Sequence, residues 1–535
     1  MNGKVYAEEP EHDALDPVAA LRGVATFGGW SRPRLLPSVA MPRPSFISRR
    51  IDLGLFVLAT ALAMAACGND AARTRSLKLG ECRLPNLSTL ARCGEIDVPE
   101  DRSKPDGRKI RIFAAVLPAS TLSPKEDPLL ILAGGPGQAA STLAPFASRL
   151  NEVRRTRDVV LIDQRGTGRS SPMDCAAFKP KDADALETDP VPRARRCADE
   201  LRAQGVDAAQ YTTTAWIDDL EAMRNALGYS RWNLWGGSYG TRVAQEYLRR
   251  HPERIRTMTL DGVAPPSMII TQDVWPTRQA ALDAVFVACR DSPACRKAHP
   301  DPAATLAAMA ASLGPAGREV EIVDPRTGMA KRLHVTFDGV LALLQPLTYV
   351  PELSSLLPEM LGLAAAGDYG PLFAATQSTI TNLAEQMNAA LHYSVTCAED
   401  VPRIAPGARK TLAGLPTQAI ADNVIAVCDV WPRGTMPAHF AEPVTSDKPA
   451  LLFSGGMDPV TPPSYGNLVA KTLTNSKHIV AGGYGHIVSP NVCGPRLIAS
   501  FVDQAGFGDL SPTCIAHFEQ SRAPPLWPDR LEPQP

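Results

Sequence analysis

The sequence predicts an α/β fold: a doubly wound, mostly parallel sheet whose chain is interrupted once by an inserted, mainly helical segment. Three observations predict it. Short, nearly continuous apolar runs recur after residue 105, as expected of strands covered on both faces. Helical patterns such as Ile217–Leu227 and Thr241–Arg250 fall between those runs, and alternation of β and α elements argues for a parallel sheet. The alternation stops near Ser267 and resumes at Lys448.

The expected strands, in order, are Ile110–Leu117, Pro128–Ala133, Asp158–Ile162, Trp232–Gly236, Ile255–Leu260, Ala450–Ser454 and His478–Ala481. Within the interruption, Thr277–Arg290, Pro302–Ser312, Val340–Leu347 and Gly370–Leu391 carry helical periodicity, with few strand signals. Residues 67–266 and 446–535 are therefore read as two parts of one core, and residues 267–445 as a helical cap. An insertion between two strands of one sheet would cover the strand ends, where open α/β sheets bind ligands.

Upstream of the core, residues 1–40 mix acidic residues, Pro and Gly without a sustained apolar period. From Met41 the pattern changes: Arg43, Arg49 and Arg50 precede an apolar run from Leu53 to Ala66. That run of 14 residues has the length of a signal-peptide h-region and falls short of a bilayer span. It ends in Met64-Ala65-Ala66-Cys67, which resembles a bacterial lipobox with Met64 in place of the usual Leu. Residues 41–66 are expected to be a signal peptide and Cys67 the lipidated first residue of the mature chain. Residues 1–40 are expected to be an extension from a misplaced start, with Met41 the better initiator.

The cysteines agree with export. Setting Cys67 aside leaves ten, which fall into close successive pairs: Cys82 and Cys93, Cys175 and Cys197, Cys289 and Cys295, Cys397 and Cys428, Cys493 and Cys514. Five disulfides in that order are expected, in an oxidising compartment such as a periplasm or cell surface, although other connectivities are open. No C-x-x-C occurs, which argues against a zinc site. With 55 Lys and Arg against 56 Asp and Glu, the chain has no broad electrostatic footprint for nucleic acid.

The sharpest chemical signal is Gly236-Gly237-Ser238-Tyr239-Gly240, after one expected strand and opening a helix. A G-x-S-x-G turn there sets its serine in a strained conformation above the sheet. A Cβ at Gly236 or Gly240 would collide across the turn. Ser238 is the expected nucleophile. Its base and orienter follow in the chain order expected of this arrangement. Asp458 lies in Gly455–Pro462 directly after Ala450–Ser454, and His486 in Gly482–His486 directly after the strand ending at Ala481. A fourth piece, Gly134-Gly135-Pro136-Gly137-Gln138, lacks the spacing of a P-loop or dinucleotide site. It leaves backbone N–H groups accessible, and Gly135 and Tyr239 are the expected oxyanion donors.

Together with Asp163-Gln164-Arg165-Gly166-Thr167-Gly168-Arg169-Ser170, these motifs resemble the prolyl aminopeptidase/tripeptidyl aminopeptidase family of α/β-hydrolases, over roughly residues 85–265 and 445–515. The resemblance implies the α/β-hydrolase fold and a serine exopeptidase that releases N-terminal residues or short peptides, with no cofactor and no metal. Ala133 stands where proline iminopeptidases usually carry His, which favours the tripeptidyl branch. A substrate with a free N-terminus calls for carboxylates near the site, and family members use acidic cap residues for this. Glu399 and Asp400, beside Cys397, are the candidates. Asp163 and Arg165 are expected to brace loops.

Three other readings compete. A carboxylesterase would use the same triad. Haloalkane dehalogenases and epoxide hydrolases carry Asp where this chain has Ser238. An idle binding protein on a hydrolase scaffold has no reason to keep a complete triad. A membrane is expected as a partner only through the lipid anchor, and the oligomeric state is unknown.

Overall fold

A computed structural model describes residues 76–178, 190–324, 327–405 and 418–522. The expected extension, signal peptide and Cys67 lie outside the described residues.

Nine strands form one sheet: β1 (Gly80–Cys82), β2 (Ala91–Pro99), β3 (Lys109–Leu117), β4 (Leu129–Leu132), β5 (Val159–Ile162), β6 (Trp232–Gly237), β7 (Ile255–Asp261), β10 (Ala450–Gly455) and β11 (Ser476–Ala481). Their spatial order is β1-β2-β3-β5-β4-β6-β7-β10-β11. Pairing is parallel from β5 through β4, β6, β7 and β10 to β11, and antiparallel among β1, β2, β3 and β5.

The apolar runs read as doubly covered strands because they are. Along β3, Ile110, Ile112, Ala114 and Val116 enter one buried cluster, whereas Phe113, Ala115 and Leu117 enter another. Along β4, Leu130 and Leu132 take the first face and Leu129 and Ile131 the second. A strand sends successive side chains to opposite faces, so both faces of this sheet lie under cover.

Two regions depart from expectation. The edge strand β1 and its neighbour β2 were not foreseen; their sequences mix charged and apolar residues, and most of their positions are not fully buried. The inserted segment also holds an antiparallel hairpin, β8 (Arg318–Val323) with β9 (Ala330–Val335). Its mostly exposed faces carry Glu319, Glu321, Lys331 and Arg332, which masked the alternation of Val320 and Ile322 with Leu333 and Val335.

β7 pairs directly with β10, so everything between them in sequence is an excursion from the sheet. Its helices include Ile270–Asp291, Pro302–Leu313, Phe337–Leu344, Gly370–Gln386 and Ala389–Glu399. Leu282, Phe286, Met309, Leu344, Leu361 and Leu372 belong to a buried cluster separate from the two that flank the sheet. The expected helix Gly370–Leu391 is two helices, because Asn388 caps the second by accepting the amide of Leu391 at 2.9 Å.

The ten cysteines pair in sequential order: Cys82–Cys93, Cys175–Cys197, Cys289–Cys295, Cys397–Cys428 and Cys493–Cys514. Among the described residues no helix is long and apolar enough to cross a membrane, and no cluster of side chains could hold a metal ion.

Candidate active site

Ser238 sits at the junction of β6 and the helix Tyr239–Arg250, with φ 55° and ψ −122°. Such a backbone is strained for a residue with a side chain, and strain of this kind collects at functional sites. The glycines around it explain how the turn closes. A Cβ at Gly236 would lie 2.5 Å from the carbonyl oxygen of Gly240, and one at Gly240 would run into the carbonyl of Leu132. The serine amide donates to the carbonyl of Asp261 at 2.8 Å, which fixes the turn to the end of β7.

Asp458 and His486 meet. His486 Nδ1 lies 2.8 Å from Asp458 Oδ2, and the same carboxylate accepts from the amides of Val460 (2.8 Å) and Thr461 (2.9 Å) and from the Thr461 hydroxyl (2.8 Å). With a carboxylate facing Nδ1, that nitrogen carries the proton and Nε2 is left as the basic atom. Burial works against the imidazolium, but the Asp458 charge outweighs it and raises His486 above the ordinary histidine value. Burial likewise opposes the Asp458 carboxylate, yet the His486 charge and these hydrogen bonds hold its pKa below the usual range.

Gly262 links the two halves. It directly follows Asp261, which holds the Ser238 amide, and a Cβ built on it would stand 3.0 Å from His486 Cε1. On the opposite side, a Cβ at Gly134 would stand 3.3 Å from Ser238 Cβ, so the glycine loop after β4 runs against the serine turn. Gly135 has φ +110°, and a side chain there would meet the amide of Gly137 at 2.6 Å. Tyr239 is the first residue of its helix, where N–H groups have no intrahelical partner and favour negative charge.

The insertion touches both sides of this site. The amide of Asn388 donates to the carbonyl of Gly137 at 2.9 Å, and Gln138 Nε2 donates to Gln386 Oε1 at 3.0 Å. Across the site, the amide of His486 donates to the carbonyl of Tyr349 at 3.2 Å, and the Tyr349 ring meets the imidazole edge-on at 5.4 Å.

Asp163 and Arg165 hold loops, as expected. Asp163 accepts from the amide (2.7 Å) and hydroxyl (3.0 Å) of Ser141 and from the amide of Arg169 (3.0 Å). Arg165 grips Asp219 with two nitrogens, at 2.6 and 2.8 Å.

Glu399 and Asp400, the candidates for reading a substrate amine, are both buried, and each bonds to groups of the protein itself. Asp400 Oδ1 lies 3.0 Å from guanidinium nitrogens of both Arg242 and Arg403. Glu399 accepts from the amide (2.7 Å) and hydroxyl (2.9 Å) of Thr213. Burial pushes its pKa up to about 7.

Asp261 was not foreseen. It ends β7 fully buried, and its carboxylate accepts from the amides of Val488 (2.9 Å) and Ser489 (2.7 Å), just beyond His486. The signal was present: an aspartate ending an apolar run at a strand terminus.

Fold, serine turn and strand-end residues together define the class: the chain has the α/β-hydrolase fold. Residues 127–286 match the model of the alpha/beta hydrolase fold, and residues 416–514 match that of a TAP-like protein. Individual relatives are narrower. Serine protease Hip1 of Mycobacterium tuberculosis is 29% identical over 260 residues, covering 42% of this chain and 49% of its own. Tripeptidyl aminopeptidase of Streptomyces lividans is 32% identical over 219 residues, covering 37% and 39%. Proline iminopeptidase of Neisseria gonorrhoeae is 29% identical over 141 residues, covering 26% and 34%. The chain thus spans half or less of the length of each of these relatives.

Proposed function

We propose that this chain is a serine exopeptidase that releases N-terminal residues or short peptides through an acyl-enzyme on Ser238. The observation that carries the reading is the strained Ser238 turn, tied through Asp261 and Gly262 to a His486–Asp458 pair 2.8 Å apart. The activities named for the relatives, serine protease and aminopeptidases, support the same class.

In this mechanism Ser238 Oγ attacks the scissile carbonyl while His486 Nε2 takes its proton. Asp458 holds the imidazole in the tautomer that leaves Nε2 basic and stabilises the imidazolium. The N–H groups of Gly135 and Tyr239 hold the oxyanion as the tetrahedral intermediate forms. His486 returns the proton to the leaving amine, and the C–N bond breaks. Water then attacks the Ser238 ester with His486 again as base, releasing the N-terminal product and restoring the serine.

Export belongs to the same proposal. Five disulfides suit an oxidising compartment. Cys67 would carry the lipid that ties the enzyme to a membrane, leaving the catalytic core in the periplasm or at the cell surface.

The test compares four substrates on the oxidised full-length protein: a free-amine tripeptide amide, its N-acetylated twin, a proline amide and a short-chain ester. Cleavage of the free-amine amides over the blocked twin is expected. Hydrolysis of the ester with every amide intact would replace this reading with a carboxylesterase.

A further inference from the structure

A chain of buried hydrogen bonds runs from the inserted segment to the residue that follows the nucleophile. Gln164 Nε2 donates to the phenol oxygen of Tyr239 at 3.3 Å. That phenol lies 2.6 Å from the Thr213 hydroxyl, which donates to Glu399 Oε2 at 2.9 Å. The amide of Thr213, at the start of the helix Thr213–Leu227, donates to Glu399 Oε1 at 2.7 Å. Beside it, Asp400 joins Arg242 of the serine helix to Arg403, and Arg242 also donates to the carbonyl of Met268 at 2.8 Å. Tyr239, Thr213, Glu399, Asp400 and Arg242 are all buried.

The chain has a direction that depends on charge. With Glu399 ionised, Gln164 donates to Tyr239, Tyr239 donates to Thr213, and Thr213 donates to the carboxylate. Every group then has a partner of the right kind. A proton on Oε2 reverses the last bond. Thr213 must then donate to Tyr239, whose own hydroxyl proton is left facing the Gln164 amide donors. An unmatched buried donor is costly.

We propose that Glu399 and Thr213 are positioning residues for the nucleophile turn: the carboxylate, carried on the inserted segment, anchors the Tyr239 side chain through the Thr213 hydroxyl and so aims the Tyr239 N–H at the oxyanion. This rests on Ser238 as nucleophile and the Tyr239 N–H as oxyanion donor. Glu399 is then not a reader of the substrate amine, and its ionisation matters to the rate for every substrate. The charged and titratable groups that face it are Arg242 and Tyr239 from the serine helix, Arg403 from the turn that follows, and Asp400 beside it in sequence.

The experiment measures how fast a fluorophosphonate probe phosphonylates Ser238, since the probe needs the oxyanion hole but carries no amine. Wild type, Glu399→Gln, Thr213→Ala and Thr213→Ser are compared, with melting curves to establish that each is folded. Removing an oxyanion donor costs about 10²–10³ in rate, so loosening one should cost roughly tenfold. That fall is expected for Glu399→Gln and Thr213→Ala, with Thr213→Ser restored to within about twofold because it keeps the hydroxyl. On any substrate turned over, kcat should fall with KM nearly unchanged. The tenfold gap between wild type and Glu399→Gln should close as pH falls and Glu399 takes up its proton, because Gln mimics the protonated carboxyl. Wild-type labelling with unchanged rates in the variants would overturn the proposal while leaving Ser238 as nucleophile. So would a KM rise confined to free-amine substrates. Failure of wild type to label at Ser238 would overturn both readings together.

Discussion

The carbonyl of Asp261 accepts the amide of Ser238 at 2.8 Å, so the residue that ends β7 holds the Ser238 turn directly. Its carboxylate reaches the other way, to the amides of Val488 and Ser489 beyond His486. One buried residue therefore sets the serine and the histidine loop in register with each other. Trp235 adds a second tie, donating its indole N–H to Ser489 Oγ at 2.9 Å.

Asp261→Asn should keep the shape but offer one acceptor oxygen where two amides converge. A kcat loss of roughly tenfold is expected, since small misplacements near a reacting centre are expensive. KM should change little. A lowered melting temperature should accompany it, because hydrogen bonds to a buried charge contribute about 1.5–3 kcal/mol each. Steady-state kinetics with full kcat and KM curves checks this; a pure KM effect would contradict it.

Asp458→Asn tests the orienter. The amide cannot hold a proton on His486 Nδ1 while also accepting from Thr461 and Val460, so the imidazole turns to the wrong tautomer. A fall on the order of 10⁴ in kcat is expected, measured with the preferred amide substrate. Ordinary melting behaviour should persist.

Glu399 makes stability depend on pH in a stated direction. Burial outweighs the Arg242 charge and the Thr213 hydrogen bonds that favour its carboxylate and raises its folded pKa to about 7 from the ordinary value of 4.5, so the folded state holds the proton more tightly than the unfolded chain. The stability this contributes is fully present below about 4.5 and is lost as pH rises through about 7. Glu399→Gln removes that dependence. Its melting temperature relative to wild type should therefore rise between pH 4.5 and 8, as read by thermal scans in matched buffers.

The Cys397–Cys428 bond closes a loop with a sequence separation of 31 and ends near Glu399. Replacing both cysteines by Ala should destabilise the protein by about 4 kcal/mol on the chain-entropy account. Denaturant unfolding measures the loss, and an unchanged midpoint would contradict it.

The central sheet and the serine turn were readable because their signals are local. Buried parallel strands are continuous apolar runs, and the glycines at 236 and 240 announce a turn no side chain fits. The order of Ser238, Asp458 and His486 placed each residue at the end of a strand. What escaped is non-local. Glu399 meets a partner 186 residues away, and Asp400 one 158 residues away, so nothing in the run Cys397–Asp400 told a buried pair from an open one. Asp261 hides for the same reason: its carboxylate bonds to amides 227 and 228 residues distant. Strands β1 and β2 and the hairpin of β8 and β9 have weak local patterns because positions that are not fully buried accept charge.

The central claim is that Ser238 is the nucleophile. Labelling the oxidised protein with a fluorophosphonate and mapping the adduct by mass spectrometry tests it most directly. The account predicts one adduct, on Ser238, absent from Ser238→Ala and formed far more slowly in His486→Ala. A folded protein left unlabelled, or labelled on a different serine, would contradict it.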